Sequence, residues 1–210
     1  MPVDLRELVA PSHTAVLTME MQRGVIGDRA AIPDLAAEVA AQDVVAHTAR
    51  LLDAARDAGV RVVHCLAEFR RDRAGSAANS PLLAAMSKLP DHLVTGSDAA
   101  QLVDALGPDD RDLVSSRLHG LSPFTGTTLD AILRNLGVST VIATGVSVNL
   151  GILGLAIEAV NLGYRVVVAT DAVAGVPRDY ADALMRNTIA LLATRATVDD
   201  ITRGWSPVAQ

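Results

Sequence analysis

Short β-branched runs alternate with longer stretches whose apolar positions recur at helical spacing, from residue 14 almost to the end of the chain. Thr14–Met21 is the first such run; it predicts a buried strand that closes on Glu20. Residues 22–33, with Gly24 and Gly27, read as a loop. One long helix is expected from about Asp34, apolar at Leu35, Val39, Val44, Val45, Leu51 and Leu52, with Gly59 beyond its end. Val60–Leu66 predicts the second strand. Residues 68–96 form a connection containing Gly, Ser and Arg, with a short helix around Leu82–Met86. Long structureless loops are uncommon in compact domains, so this one is expected to pack over a site or against a partner. A short helix near Ala99–Leu106 precedes a weaker strand at Asp112–Arg117. From Thr127 the pattern is regular: a helix to Leu136, a strand at Ser139–Thr144, and a helix from Asn149, as N-cap, to Leu162. A strand at Arg165–Ala169, a long helix at Arg178–Thr194 and a short strand at Ala196–Val198 complete the series.

Three segments share one grammar: Ala58-Gly59-Val60-Arg61-Val62-Val63, Leu136-Gly137-Val138 before Val141-Ile142, and Leu162-Gly163-Tyr164-Arg165-Val166-Val167. Each reads as a helix, a left-handed glycine stop and a buried strand. Helices alternating with apolar strands predict a three-layer α/β/α domain over residues 1–210, its central sheet mostly parallel. No Gly-x-Gly-x-x-Gly fingerprint or phosphate loop is present, which argues against a dinucleotide enzyme.

Composition narrows the partners. Half of the residues are apolar but only five are aromatic, so Ala, Val, Leu and Ile must build the core. A net charge of −6 argues against nucleic acid, since phosphate binding needs clustered Lys and Arg. The single cysteine excludes an intramolecular disulfide and fits a reducing, cytoplasmic setting. The N-terminus carries Asp4, Arg6 and Glu7 and shows no signal-peptide pattern. Residues 135–157 carry no charge, but their four glycines and their strand–turn–helix pattern speak against a membrane span.

Ligands of open parallel sheets bind beyond the carboxyl ends of the strands. Glu20, Arg117 and the turn Ser147–Gly151 lie at three such ends, giving an acid, a base and a helix start with unpaired N–H groups. These residues also carry a resemblance. Gly145-Val146-Ser147-Val148-Asn149-Leu150-Gly151-Ile152 resembles the nucleophile turn of the isochorismatase-like (cysteine hydrolase) family, roughly Gly-Val-x-Thr-x-x-Cys-Val, with Gly151 at the cysteine position. Met19-Glu20-Met21-Gln22 resembles the family's Asp-Met-Gln, and Ser122-Pro123-Phe124-Thr125-Gly126-Thr127 its Ser-x-Phe-x-Gly-Thr. The spacing before that second motif departs by one residue. Ungapped, Leu118 falls on the family's lysine column, whereas Arg117 is the only cation close by and is the residue assigned to it.

The resemblance implies the isochorismatase-like fold, a homodimer or larger assembly, a small-molecule substrate and a cis Val146–Ser147 peptide. It assigns catalytic positions to Glu20, Arg117 and Gly151, with Ser147, Val148, Asn149, His119 and Phe124 at the substrate. All three triad positions have changed (Asp to Glu, Lys to Arg, Cys to Gly), so a covalent thioester route has no nucleophile. True isochorismatases also lack that cysteine and cleave a vinyl ether. Metal-dependent relatives use an Asp-x-His pattern after the second strand; here the sequence reads Leu66-Ala67-Glu68-Phe69-Arg70-Arg71, so no metal and no cofactor is expected.

Structural readings compete with each of these. Glu20 could be a solvated strand end, Arg117 a plain ion-pair partner, and Gly151 a point of close helix packing. His64 and Cys65, inside a strand run, read as structural, while Phe69, Phe124 and Trp205 are candidate pocket walls. For Glu20, a position facing substrate, with Arg117 gripping a substrate carboxylate, suits a general acid; direct pairing of the two suits a base or a structural ion pair. The first arrangement is favoured because Arg117 is shaped for a bidentate grip on a carboxylate. Three functions stay open: a cysteine-free hydrolase of a small organic acid or ether, a hydrolase whose Glu20 activates water against an amide or ester, and a non-catalytic binding module.

Overall fold

The computed structural model describes residues 4–107 and 109–206. In chain order its elements are α1 (Leu5–Leu8), β1 (Thr14–Met19), α2 (Arg23–Ile26), α3 (Pro33–Ala41), α4 (Val44–Asp57), β2 (Arg61–Ala67), α5 (Pro81–Met86), β3 (Leu113–Arg117), α6 (Leu129–Asn135), β4 (Thr140–Val146), α7 (Leu153–Asn161), β5 (Arg165–Ala174), α8 (Arg178–Leu184), α9 (Ala190–Leu192), β6 (Thr194–Ala196) and α10 (Val198–Trp205). The sheet is six-stranded in the order β3-β2-β1-β4-β5-β6, and every pairing is parallel.

Strand alternation decides the layers. Val16, Val62, Ile142 and Val167 pack into one core with α3, α4 and α10, whereas Leu17, Val63, Ala143 and Val168 pack into a second with α6 and α7. Helices therefore cover both faces, and the central strands β1 and β4 are buried at every position. This is why they read as unbroken apolar runs. The stops at Gly59, Gly137 and Gly163 adopt left-handed φ values of 76°, 71° and 89°, as their sequence context predicts.

Several expected boundaries shift. The helix expected from Asp34 is two helices, broken at Gln42–Asp43, where Asp43 takes φ 51°. The apolar face continues across the break, so periodicity alone does not reveal it. The helix expected to start at an Asn149 cap begins instead with a wide π turn at Val148–Ile152 after Ser147, and Asn149 donates its Nδ2 to Val176 O at 3.4 Å. A second π turn at Met185–Ile189 interrupts the helix expected over 178–194. The helix expected near 99–106 is two 3-10 turns, Asp98–Ala100 and Asp104–Leu106. β5 runs on to Ala174 through a register shift opposite Ala143–Gly145. Helix α10, absent from the expectation, starts with a capping box between Thr197 and Asp200. Among the described residues no helix is long and apolar enough to cross a membrane.

Candidate active site

Strand order reverses between β1 and β4: the chain runs outward through β2 and β3 on one side, and through β5 and β6 on the other. The crevice beyond the carboxyl ends of two such strands is where open α/β sheets hold ligands. Glu20 follows β1 directly, and the Val146–Ser147 peptide, which is cis as the resemblance implies, ends β4. Glu20 adopts φ 53°, a left-handed conformation costly for a non-glycine residue and concentrated at functional sites. Its N–H donates to Cys65 O at 3.0 Å, so the main chain fixes where its carboxylate begins. Gly145 is required beside it: at φ 106°, an added Cβ would lie 2.3 Å from Met19 O.

Arg117 is the last residue of β3, in register with Ala67 of β2, which separates it from β1. Two strand spacings come to about 10 Å, a gap that an extended arginine can bridge. Its Nη2 donates to Glu20 Oε1 and its Nε to Gly120 O at 3.2 Å. The Arg117 side chain is 4% exposed and that of Glu20 21%. The cation beside Glu20 is thus Arg117, whereas Leu118, on the ungapped lysine column, is 45% exposed. The arrangement favoured from sequence, with Arg117 reserved for a substrate carboxylate, is corrected here: guanidinium and carboxylate pair directly. A paired carboxylate presents lone pairs to a ligand rather than a proton.

A cavity of about 280 Å³ opens at these residues, lined also by Ser147, Asn149, Leu150 and Gly151. In the turn, the N–H groups of Leu150 and Ile152 both return to Ser147 O, and those of Val148 and Asn149 have no acceptor among the described residues. Gly151 leaves no room for a side chain: a Cβ would lie 2.7 Å from Val146 O and 3.0 Å from Met19 Cε. Gln22, in the same motif as Glu20, is fully buried and ties its own segment to the end of β2 and to the 3-10 turn at Asp98–Ala100. Its Nε2 donates to Ala67 O (2.9 Å) and Ala100 O (2.8 Å), and its Oε1 accepts from Ala67 N–H (2.9 Å).

The connection 68–96 folds over the cavity, as its length suggests. Leu82, Leu83 and Met86 of α5 line the outer wall, and Ser80 caps that helix by accepting from Leu83 N–H. Arg73 anchors the segment by donating to Leu89 O and His92 O, with its guanidinium 5.0 Å above the Phe69 ring. The short helix expected around Leu82–Met86 is α5, whereas the Ser80 cap and the Arg73 anchor were not singled out from the sequence.

Not every expected residue reaches the cavity. His119 is exposed, and its Nδ1 accepts from Ala77 N–H at 3.3 Å, so it holds the lid rather than facing the cavity. Phe124 is buried and stacked on Tyr164 with ring centroids 5.9 Å apart. The Val148 side chain lies in the core, so only its main chain faces the turn. Trp205 donates to Val9 O at 2.7 Å, far from the site in the fold, while Phe69 does line the cavity. Glu158, the one charge of α7, accepts from Ser122 Oγ, Thr125 Oγ1 and Thr125 N–H. Burial alone would raise its carboxyl pKa; these hydrogen bonds outweigh it and hold it below the usual carboxylate range. The Cys65 thiol is fully buried, and burial, aided by the Glu20 charge against Arg117, pushes it up to about 12.

The comparisons agree with this architecture. The chain is 27% identical over 203 residues to the ureidoacrylate amidohydrolase RutB of Agrobacterium fabrum, covering 90% of this chain and 89% of that protein. The crystal structure of an isochorismatase family protein from Desulfovibrio vulgaris superposes with a TM-score of 0.79 at 26% identity, covering 91% of this chain and 99% of the other. N-carbamoylsarcosine amidase from Thermoplasma acidophilum shares the fold, with a TM-score of 0.71 at 24% identity over 89% and 97% of the two chains. An isochorismatase domain matches residues 14–200, and with it the chain belongs to the isochorismatase family.

Proposed function

We propose that the chain hydrolyses a small amide or ester by direct attack of water, with Glu20 as the base. The observation that carries this reading is the Glu20–Arg117 pair in the wall of the cavity, one carboxylate oxygen taken by the guanidinium. Oε2 accepts no hydrogen bond from the described residues and is the oxygen assigned to water. Water gives a proton to Oε2 as its oxygen bonds to the carbonyl carbon. The oxyanion that forms is stabilised by the N–H groups of Val148 and Asn149, as preorganised donors do elsewhere. Collapse breaks the bond to the leaving nitrogen or oxygen, which takes the proton back from Glu20, releasing an acid and an amine or alcohol. The route uses water and the protein's own residues, with no cofactor or metal. RutB is an amidohydrolase by name, which favours an amide over the ether of true isochorismatases.

Single turnover in heavy-oxygen water is expected to place the label in the product acid. Mass spectrometry of protein quenched during turnover is expected to show no acyl adduct; a covalent adduct would sink direct water attack. Binding without turnover across a panel of amides and esters would favour the non-catalytic alternative instead.

The proposal includes self-association. Leu150, Ile157 and Val160 lie along one side of the π turn and α7 and are 41%, 43% and 41% exposed, an apolar stripe suited to a second copy of the chain. Light scattering at micromolar concentration is expected to show a dimer or larger; a monomer contradicts it. Small molecules in the cytoplasm, rather than nucleic acid or membrane, remain the partners proposed.

A further inference from the structure

The walls of the cavity bear on what it can hold. Apart from Glu20 and Arg117, no residue lining it carries a fixed charge. Those two charges cancel each other, and Arg117 is held in place by its own contacts. Its Nη2 is on Glu20, its Nε is on Gly120 O, and its Nη1, which has no partner among the described residues, is buried out of a ligand's reach in a side chain that is almost completely enclosed. Turning it towards a substrate carboxylate would strip Glu20 of its partner. His92, the remaining ionisable residue of the wall, is pushed down to about 4 by burial and by Arg73, so it is neutral at pH 7. Apart from Ser147 and Asn149 in the turn, the wall is mostly hydrocarbon from five parts of the chain: Leu35 on α3, Phe69 after β2, Leu83 and Met86 on α5, Leu121 after β3, and Val176 after β5.

An anionic ligand entering this space would lose its water and gain no cation. An uncharged ligand with an apolar body would bury that body against the walls and present its carbonyl to the polar end. A volume of about 280 Å³ suits a small molecule. We infer that the substrate is an uncharged, largely apolar carboxamide or ester, and that carboxylate-bearing analogues are excluded. This inference rests on the hydrolytic reading above only for the identity of the reacting group.

Hexanamide and glutaramate test it, two amides of similar size, the second ending in a carboxylate. Binding to the full chain is measured by titration calorimetry, and turnover by ammonia release. Hexanamide is expected to bind at least about tenfold more tightly. Leu83→Arg places a cation in the lid wall and is expected to narrow or reverse that preference. Circular dichroism checks its fold, and Met86→Arg repeats the test should the first variant misfold. Tighter or equal binding of glutaramate by the unmodified protein overturns the inference, as does absence of binding by both amides at millimolar concentration. The two readings fail separately. Hexanamide preference without ammonia release removes the hydrolytic reading and leaves the ligand class, whereas ammonia release with glutaramate preferred does the reverse.

Discussion

The protein builds two clusters of acid and cation across the same three strands, β1, β2 and β3, and only one of them opens onto a cavity. At the strand ends, Glu20 and Arg117 pair beside the switch point. Further back, on the face covered by α4, Thr18 Oγ1 and His64 Nδ1 lie 2.8 Å apart, and His64 Nε2 lies 3.1 Å from Asp112 Oδ2. Arg56 from α4 closes that chain on Asp112 and donates to Leu106 O at 3.2 Å. A hydroxyl, an imidazole and a carboxylate in series have the composition of a nucleophilic triad. Yet Thr18 is fully buried and His64 is 2% exposed, and none of these groups lines the cavity beyond the strand ends. The inner cluster satisfies buried polar groups and ties α4 to the sheet. Chemistry requires the same ingredients at a strand end, where a main-chain turn and a cavity meet them.

Substitutions can separate the two clusters. The largest effect belongs to the outer one: Glu20→Gln should lower kcat about 10²–10⁴-fold with KM nearly unchanged. Its amide oxygen still accepts from Arg117, so the fold is expected to hold in the same assay. Unchanged turnover on a confirmed substrate would remove Glu20 from the mechanism. In the inner cluster the loss falls on stability instead. Asp112→Ala leaves Arg56 and His64 without their shared carboxylate, and denaturant titration is expected to show a loss approaching the roughly 3–5 kcal/mol of a broken buried pair. Activity per folded molecule should stay near the original; a collapse of kcat at full stability would make the inner cluster catalytic.

Between these lies the turn itself. Gly151→Ala forces a Cβ to 2.7 Å from Val146 O, and overpacking of this kind costs about 1–3 kcal/mol, readable as a fall in Tm. A smaller effect follows from pH. Burial lowers the His64 pKa against the opposing pull of Asp112, so the folded state binds fewer protons than the unfolded chain. Stability is then complete above about pH 6.5, the unfolded histidine value, and declines as pH falls below it, by at most about 1.4 kcal/mol per unit for each such group. His92 shifts in the same direction and adds to the decline. His64→Gln should flatten the Tm profile in that window, and an unchanged slope would contradict the assignment. The smallest effect is at Cys65: Cys65→Ser, or treatment with a thiol alkylator, should leave kcat untouched.

This contrast also marks where sequence reasoning reaches and where it stops. Glycine stops at 59, 137 and 163 and the buried runs between them were legible because each is a local signal, and they suffice for the layered parallel sheet. Glu20, Arg117, Ser147, Asn149 and Gly151 were legible as strand ends. The direct pairing of Glu20 with Arg117 was not, since it depends on a side chain crossing β2 between residues far apart in sequence. Asp112 read as the start of a weak strand; only the register of β3 with β2 brings it to His64. His119 and Phe124 were expected at the substrate, but the loop turns His119 towards Ala77 and Phe124 towards Tyr164. The break at Asp43 escaped because α3 and α4 present apolar residues to the same core.

The tight fit around Gly151 also bears on ancestry. In relatives resembling this turn, a cysteine occupies the position, so its loss looks at first like a single reversible step. Here the main-chain oxygen of Val146 and the side chain of Met19 have closed over the place where the first carbon of that cysteine would stand. Replacing the glycine alone would restore a thiol but not the geometry that made it a nucleophile; the β4 end and Met19 would have to retreat together. Reversal at this position is therefore a matter of shape as well as of one missing side chain.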